Sequence, residues 1–321
     1  MDRELALEFV RVTEAAAVAC GRWMGKGDKI AADQAAVDAM RSAFDTVNIA
    51  GKIVIGEGEM DEAPMLYIGE QVGAGGFDVD IAVDPLEGTN LVAKGMPGAI
   101  AVLAIAPKGG LLNAPDMYME KIAVGPRAAG CIDITASVKT NLKNVAKCMN
   151  RRIEELTVVI LDRERHKGII DEVRSAGARI KLISDGDISP AINAAVEGTA
   201  VHMLLGIGGA PEGVLAAAAL KCLGGDMQAR LYPESEAEVE RAKAMGIQDI
   251  HKVLTMDDLV AGDDIIFSAT AVTQGDLLNE VKYFPGGVRT HSIVMRYISG
   301  TVRFIDAVHK LDRKPLFIKR T

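Results

Sequence analysis

Short apolar runs alternate with helical segments in the second half of this chain, and this pattern restricts the possible fold more than any other feature. The runs are Leu156–Leu161, Arg179–Ile183, Ala200–Leu205 and Ile265–Val272, with helical spacing at Glu164–Ser175 and Ile188–Val196. Strands joined by helices predict an α/β domain with a largely parallel sheet. Two final runs, His291–Tyr297 and Thr301–Ala307, meet at Ser299-Gly300 and predict a β-hairpin.

The first half begins instead with two amphipathic helices. Residues 4–24 repeat apolar side chains every three or four positions, and a second helix starts at about Asp28. Asp33 completes the apolar face of that second helix, so its carboxylate is predicted to point inward. Strands are predicted at Lys52–Ile55, Asp78–Val83, Ala99–Ala106, Lys121–Val124 and Cys131–Thr135. The change of pattern, in a chain of 321 residues, predicts two domains, 1–155 and 156–321.

Composition excludes several functional classes. The net charge of -8 and the pI near 5.3 argue against binding to nucleic acid or to an anionic membrane surface. We find neither a secretory signal nor an apolar stretch of about 18 residues, which a membrane span requires. The four cysteines, Cys20, Cys131, Cys148 and Cys222, form no CxxC pair, and we expect reduced thiols in a cytoplasmic protein.

Acidic residues gather at turns and near the ends of the apolar runs. They are Asp33, Glu57, Glu59, Asp61, Asp84, Glu87 and Glu212. Most acids simply solvate a surface, but Asp33 lies on an apolar helix face, and Glu57 and Asp84 follow apolar strands. Carboxylates removed from water need a cation or hydrogen-bond donors. An ion pair with Lys29 is one explanation for Asp33, and a metal ion is the explanation for the whole set.

The residue types favour a hard cation. Carboxylates without histidine or cysteine at ligand spacing suit Mg²⁺ or Mn²⁺ better than zinc. The five histidines lie away from these acids, and we interpret them as core or surface residues. They are His166, His202, His251, His291 and His309.

Gly88 and Thr89 follow the acids of the stretch DPLEGTN, residues 84–90. A glycine at a helix start lets a ligand approach the backbone, and the free N–H groups of a first helical turn bind phosphate. Thr89 could serve only as an N-cap. Beside a metal and a phosphate, its hydroxyl could instead orient an attacking water, as phosphate-ester hydrolysis requires.

The stretch GIGGAPEG, residues 206–213, resembles a nucleotide-binding loop only superficially. Pro211 occupies the position of the last required glycine, and no Gly-Lys-Ser/Thr follows. We interpret it as a turn that brings Glu212 and backbone N–H groups to a shared site.

Taken together, these stretches resemble the class II fructose-1,6-bisphosphatases, within the lithium-sensitive, metal-dependent sugar phosphatase superfamily. The carriers include GKGDKIAADQAAVDAM, IVIGEGEMDEAPML, DVDIAVDPLEGTNL, NAPDMYMEKIAVGP, LDRERH, ISDGDI and GIGGAPEGVLAAAALKCLGG. The superfamily more often has Asp-Pro-Ile/Leu-Asp-Gly-Ser/Thr, where this chain has Glu87, and it has a Trp-Asp-x-Ala segment that this chain lacks. Glu212 could fill that metal-binding role.

The resemblance implies a layered α-β-α-β-α fold and a set of site residues. The implied metal ligands are Asp33, Glu57, Asp84, Glu87 and Glu212. Thr89 would position the water, with Asp61 as proton acceptor and Lys29 as a charge partner. Implied sugar-phosphate contacts are Glu87, Gly88, Thr89, Tyr118, Arg163, Glu164, Arg165, Asp185, Gly186, Asp187 and Gly209.

The sequence itself supports part of that set. Arg163 and Arg165 follow a predicted strand, where ligands of α/β sheets collect, and a guanidinium suits a phosphate. Asp185 and Asp187 also follow a strand and could accept protons from sugar hydroxyls, although a helix N-cap is an equal explanation.

The predicted reaction is the gluconeogenic hydrolysis of D-fructose 1,6-bisphosphate to fructose 6-phosphate, with Mn²⁺ or Mg²⁺ and with direct attack by water rather than by Asp84. Activity on sedoheptulose 1,7-bisphosphate as well is one alternative, and a non-catalytic sugar-phosphate sensor is another. The resemblance also implies a homodimer or homotetramer.

Overall fold

A computed structural model describes residues 1–58 and 65–313 of the chain. Its helices are α1 (Leu5–Gly21), α2 (Lys29–Phe44), α3 (Thr89–Lys94), α4 (Val138–Cys148), α5 (Lys167–Ala176), α6 (Ile188–Ala195), α7 (Ala210–Leu223), α8 (Glu236–Ala244) and α9 (Met256–Leu259). Its strands are β1 (Ile49–Ile55), β2 (Gln71–Val72), β3 (Phe77–Glu87), β4 (Ile100–Pro107), β5 (Tyr118–Val124), β6 (Thr157–Leu161), β7 (Arg179–Ile183), β8 (Met203–Gly209), β9 (Asp226–Tyr232), β10 (Ile266–Ala271), β11 (Lys282–Phe284), β12 (Gly287–Arg296) and β13 (Thr301–Lys310).

The chain divides into two compact units at places other than residue 155. Unit 1 comprises Met1–Leu111 together with the chain from Gly262 onward, and unit 2 comprises Leu112–Ala261. The difference arises from long-range strand pairing, because β10 pairs with β4, and β5 pairs with β8 and β9. The C-terminal strands therefore return to the first sheet, which local sequence patterns do not reveal.

Unit 1 is built on an eight-stranded mixed sheet. The strand order is β11-β12-β10-β4-β3-β1-β2, and β13 pairs with β12. The two predicted N-terminal helices are confirmed as α1 and α2, in which Phe9 and Phe44 are fully buried in one core with Ile81 and Leu103 of the sheet. The predicted hairpin is also confirmed, since Arg296 of β12 lies opposite Thr301 of β13.

Unit 2 is built on a five-stranded sheet of order β7-β6-β8-β5-β9. The predicted parallel pairing holds for β6, β7 and β8, whereas β5 and β9 are antiparallel to their neighbours. Its core includes Val158, Ile160 and Met203, all fully buried. Helices packed on sheets in both units confirm the α/β class, and the five-layer order stays a prediction.

Two expectations about the cysteines and their surroundings are wrong. Residues 131–135 form no strand, and Cys131 makes a disulfide with Cys148 at the end of α4. The turn before α4 brings the two Cα atoms within 6.8 Å, a closeness that a separation of 17 residues does not reveal. Cys20 and Cys222 are buried and form no disulfide within the described residues, as expected.

Within the described part of the chain, we find no helix with the length and apolar character needed to cross a membrane.

Candidate active-site residues

Strand register in unit 1 brings two of the predicted metal ligands to one edge of the sheet. β1 and β3 run parallel, with Ile55 opposite Ala82. Glu57 and Asp84 each lie two residues beyond that pair, so both follow the last residues that pair between these strands. The runs before them, Ile53–Ile55 and Ile81–Val83, are buried, as the sequence predicted.

The strand that carries Asp84 is longer than predicted. β3 runs through to Glu87 instead of ending at Val83, with a shift of register between Asp84 and Glu87. Pro85 has no N–H to donate to the ladder, and Asp84 Oδ1 accepts a hydrogen bond from the Leu86 N–H at 3.1 Å. The irregularity places Glu87, only 3% exposed, at the last position of the strand.

Gly88 turns the chain from β3 into α3. It is the N-cap residue of α3 and has φ 87°, in the left-handed region that glycine favours. Thr89 is the first residue of the helix rather than its cap, so the capping explanation for its half-buried hydroxyl is wrong. Its hydroxyl remains available for another role.

Asp33 lies on α2, which packs against both α3 and β3. The loop before α2 is tied to α3 because the Gly25 and Gly27 N–H groups donate to the carbonyls of Val92 and Ala93. Asp33 is half-buried, and burial raises the pKa of its carboxyl. Lys29 is exposed, and in the described residues it makes no ion pair with Asp33, so that explanation is wrong.

Glu59 and Asp61 lie outside the described residues. Across residues 1–58 and 65–313, no three His, Cys, Asp or Glu side chains are grouped as a metal site.

Unit 2 contains a buried cluster of charges that the sequence analysis found only in part. Lys121 of β5 is 1% exposed, and its Nζ lies 2.5 Å from Asp187 Oδ2 and 2.9 Å from the Gly209 carbonyl, to which it donates. Asp187 occupies the N-cap position of α6, but its side chain makes no capping hydrogen bond. The ion pair with Lys121 therefore replaces the capping role that was the alternative for Asp187.

Glu212 adjoins this cluster in the first turn of α7. Its Oε2 is shielded from solvent and makes no hydrogen bond to any described residue. Burial raises the pKa of its carboxyl, and the nearby Lys121 ammonium opposes that rise while the Asp187 carboxylate adds to it. An unsatisfied, shielded carboxylate oxygen fits a hard cation such as Mn²⁺ or Mg²⁺.

Two glycines make room for these carboxylates. A Cβ on Gly208 would lie 2.2 Å from Asp187 Oδ2, and a Cβ on Gly209 would lie 1.8 Å from Glu212 Oε2. Both distances are far shorter than van der Waals contact. Gly208 and Gly209 thus let β8 pass directly beside the acids. This close approach explains why glycine occupies these two positions, and no bound nucleotide is needed to explain it.

Arg165 and Tyr118 come together at the same edge of the unit 2 sheet. The Arg165 guanidinium carbon lies 4.4 Å from the centre of the Tyr118 ring, and its Nε and Nη2 donate to the Ile207 carbonyl at 3.2 and 2.9 Å. Arg163 Nη2 lies 3.9 Å from Asp185 Oδ1. Glu164 is exposed between the two arginines, and Gly186 follows Asp185 with φ 69°. These predicted sugar-phosphate residues therefore line the edge where β6, β7 and β8 end.

His166 holds the arginine turn on the sheet. It is fully buried, its Nδ1 lies 2.7 Å from the Leu161 carbonyl, and its Nε2 accepts from the Ile207 N–H at 2.8 Å. Accepting at Nε2 makes Nδ1 the donor to Leu161, and burial lowers the pKa of this imidazole. The interpretation of His166 as a core residue is confirmed.

Lys121, which contacts the candidate site residues Asp187 and Gly209, was missed by sequence reasoning. The signal was present, because it is a lysine between Met119 and Ile122 in a predicted strand. A lysine is almost never fully buried unless it is paired.

Comparison with known proteins gives these residues a context. The family model of bacterial fructose-1,6-bisphosphatase, glpX-encoded, matches residues 3–309. The chain belongs to this family. Within the family, a Synechocystis sp. protein named D-fructose 1,6-bisphosphatase class 2/sedoheptulose 1,7-bisphosphatase is 51% identical, over 96% of this chain and 97% of its own length. A protein of the same name from Microcystis aeruginosa is 49% identical over 99% of both chains. The class II resemblance on which the site residues were assigned is thereby confirmed, and the chain is a phosphatase.

Proposed function

We propose that this chain hydrolyses the 1-phosphate of D-fructose 1,6-bisphosphate, producing fructose 6-phosphate and phosphate in gluconeogenesis, with Mn²⁺ or Mg²⁺ as cofactor. The observation that carries the proposal is the run Asp84 to Thr89, in which β3 ends at Glu87 and Gly88 turns the chain into the start of α3. Carboxylates, a backbone turn and a hydroxyl follow one another there, as phosphoryl transfer requires.

We assign separate roles to the two units. The proposed metal ligands of unit 1 are Asp33, Glu57, Asp84 and Glu87, and Glu212 is the proposed metal ligand of unit 2. Divalent cations held by these carboxylates would offset the negative charge of the phosphoryl oxygens. The Gly88 turn would bring backbone N–H groups to the scissile phosphate, and the Thr89 hydroxyl would orient the attacking water. We propose Lys29 as a charge partner in this site and Asp61 as the acceptor of the proton from the attacking water.

Unit 2 is the proposed sugar-phosphate unit. Arg163 and Arg165 would hold the phosphate that does not react, because a guanidinium fork matches phosphate oxygens. Tyr118 supports Arg165 by stacking against it. The remaining proposed contacts to the sugar are Glu164, Asp185, Gly186, Asp187 and Gly209.

Direct attack by water predicts a stereochemical result. A single in-line displacement inverts the configuration at phosphorus, whereas a phosphoenzyme on Asp84 would require two displacements and would retain it. Hydrolysis of a substrate with an isotopically chiral 1-phosphate should therefore give inversion. Retention of configuration would show that a side chain of the enzyme, and not water, attacks phosphorus first.

The test of the proposed function is phosphate release from fructose 1,6-bisphosphate by the wild-type chain and by Thr89→Ala, with Mn²⁺ or Mg²⁺. We expect Thr89→Ala to lower kcat by about 10²-fold or more, since it removes the group that positions the nucleophile. Thr89→Ser keeps the hydroxyl and should retain most of the activity. Equal activity in all three proteins would remove Thr89 from the mechanism.

A second substrate is favoured by the names of the relatives, which include sedoheptulose 1,7-bisphosphatase. We propose comparing kcat/KM for the two bisphosphates in one preparation. Failure to release phosphate from either bisphosphate, with binding of both intact, would instead support the sugar-phosphate sensor.

We also propose a cytoplasmic location and assembly as a homodimer or homotetramer. Sedimentation of the purified chain would test the assembly.

A further inference from the structure

A cavity lies at the opposite end of the unit 2 sheet from the candidate substrate residues. Its volume is about 470 Å³, within the range of small-molecule sites. In the sheet, Tyr118 lies opposite Gly209 at the substrate edge, whereas Val124 lies opposite Met203 at the other edge. Gly125 and His202, which line the cavity, adjoin that second pair. The seven residues of β8 separate the two edges by roughly 20 Å.

Three guanidinium groups line this cavity: those of Arg127, Arg151 and Arg179. Arg127 donates to the Met149 carbonyl at 3.0 Å, and Arg179 donates to the Glu155 carbonyl at 2.7 Å. Within residues 1–58 and 65–313, none of the three has a carboxylate oxygen within 4.0 Å. Positive charge therefore collects here without an ion-pair partner in the described chain.

The acids near the cavity leave its charge positive. Glu197 lies in the lining, whereas Glu155 does not line the cavity. The Glu155 carboxylate lies 3.8 Å from the Arg152 guanidinium. A hydrogen bond from the Arg152 N–H lowers the pKa of Glu155, and the charges of Arg151 and Arg179 also help to lower it. One lining carboxylate thus faces three lining guanidiniums.

His202 adds a neutral donor to the same wall. It is 6% exposed, and its Nδ1 accepts from the Thr157 N–H at 2.9 Å, which leaves the proton on Nε2. Burial lowers the pKa of this imidazole, and the charges of Arg151 and Arg179 lower it further. The ring is therefore close enough to the guanidiniums to respond to an anion placed among them.

The rest of the lining is small and apolar. Residues 194–196, at the end of α6, form one part of it, together with Ala200 and Val201. Ala200 has φ 57°, a left-handed conformation that is uncommon for alanine and tends to occur at binding sites. This wall offers contact to carbon atoms rather than to a second charge.

We propose that this cavity binds a phosphate monoester carried on an organic body of about the size of a sugar. The guanidiniums match phosphate oxygens in charge and geometry, the His202 Nε2–H provides a further donor, and the apolar wall accommodates the organic part. Inorganic phosphate alone would leave most of the volume to water. The assignment does not depend on the proposed activity at the other edge of the sheet.

The cavity is connected to the candidate substrate residues through α6. Asp187 is at the N-terminus of this helix and pairs with Lys121. Residues 194–196, at its C-terminus, line the cavity. A ligand in the cavity therefore contacts the same helix that positions Asp187.

The test is equilibrium dialysis of the full chain without divalent metal, with D-ribose 5-phosphate and inorganic phosphate as separate probes. We expect ribose 5-phosphate to bind more tightly than phosphate. Arg151→Gln should weaken its binding at this site about tenfold or more, because a charge-assisted contact is lost. The Arg151 side chain makes no hydrogen bond in the described chain, and its backbone N–H, which donates to the Ala146 carbonyl at 2.8 Å, is kept in the variant, so this change should leave the fold intact. Arg152→Gln removes the same charge one residue away and should leave the binding unchanged.

A second readout separates this cavity from the substrate edge. Ribose 5-phosphate should raise the pKa of His202, measured by NMR of the imidazole, in the wild type and in Arg163→Gln but not in Arg151→Gln. An unchanged His202 pKa in the wild type, or equal binding by the wild type and Arg151→Gln, would overturn the site. Binding of ribose 5-phosphate no tighter than that of inorganic phosphate would overturn the ligand class.

Discussion

The two units position their acidic residues by different means. In unit 1, Glu57 and Asp84 each lie two residues beyond the last pair of two parallel strands, so the strand register sets their positions. In unit 2, Asp187 is held by a buried ion pair with Lys121, a residue from a distant part of the chain. Acids placed by backbone register can lose their charge while the strands remain paired. Acids placed by a buried charge cannot be altered without affecting the core of their unit.

The largest effect that would test this difference is on activity in unit 1. We expect Asp84→Asn to lower kcat/KM by about 10³-fold, since it removes a proposed metal ligand, and to leave the free energy of unfolding nearly unchanged. Asp78→Asn makes the same change at an exposed position of the same strand and should keep full activity. Kinetics and urea denaturation measure the two quantities. A large loss of stability in Asp84→Asn would show that the charge of this carboxylate itself supports the strand pairing.

The second effect is on the stability of unit 2. Lys121→Met should lower the free energy of unfolding by about 3 kcal/mol, because it leaves the Asp187 carboxylate buried without its cation. The double variant Lys121→Met/Asp187→Leu removes both charges and should recover much of that loss. Lys143→Met, at an exposed position of α4, is the control. If the double variant is as unstable as the single one, the ion pair does not account for the loss.

The third effect concerns the glycines of β8. Gly208→Ala should destabilise the protein by about 2 kcal/mol, since its Cβ would lie 2.2 Å from Asp187 Oδ2 and 2.9 Å from Lys121 Nζ. Gly168→Ala, in α5, meets no atom within 4 Å and should be neutral or slightly stabilising. Thermal unfolding of both variants measures the difference. Equal melting temperatures would show that the pair moves aside without cost.

The smallest effect is on the pH dependence of stability without metal. The pKa of Glu212 is raised in the folded protein above its ordinary value of 4.5, so the unfolded chain loses this proton first as the pH rises. The stability due to this group is therefore present below pH 4.5 and is lost as the pH rises through the folded pKa. Glu212→Gln should remove this pH dependence and raise the free energy of unfolding at pH 7 by about 1 kcal/mol.

Glu172→Gln, at an exposed position of α5, should leave the same pH profile unchanged. Denaturation curves between pH 4 and pH 8 provide the measurement. If Glu212→Gln is no more stable than the wild type at pH 7, the shielded carboxylate does not destabilise the protein without metal.

Local patterns in the sequence predicted much of unit 1. The periodicity of α1 and α2 and the strands before Glu57 and Asp84 were visible because each depends on spacing within a short segment. The extension of β3 to Glu87 was missed because Pro85 and the following glycine suggested an end to the strand. The structure tolerates Pro85 by shifting the register there.

Unit 2 shows where the same reasoning fails. The strand before Arg163 could be read from sequence. The interpretation of residues 206–213 as a turn was wrong, because Gly206–Gly209 end β8 and Ala210 begins α7 directly. The pairing of Lys121 with Asp187, and the disulfide between Cys131 and Cys148, join residues that no local pattern relates. The basic cavity likewise collects Arg127, Arg151 and Arg179 from separate segments.

The α/β class, the family and the acids, glycine and threonine of the candidate phosphate site can all be recognised in the linear sequence, because they depend on spacing and motif order. Only folding shows which strands share a sheet, where the chain divides into units and which charges are buried together. Those outcomes depend on contacts between distant segments, since a buried charge is stable only when folding brings its partner to it.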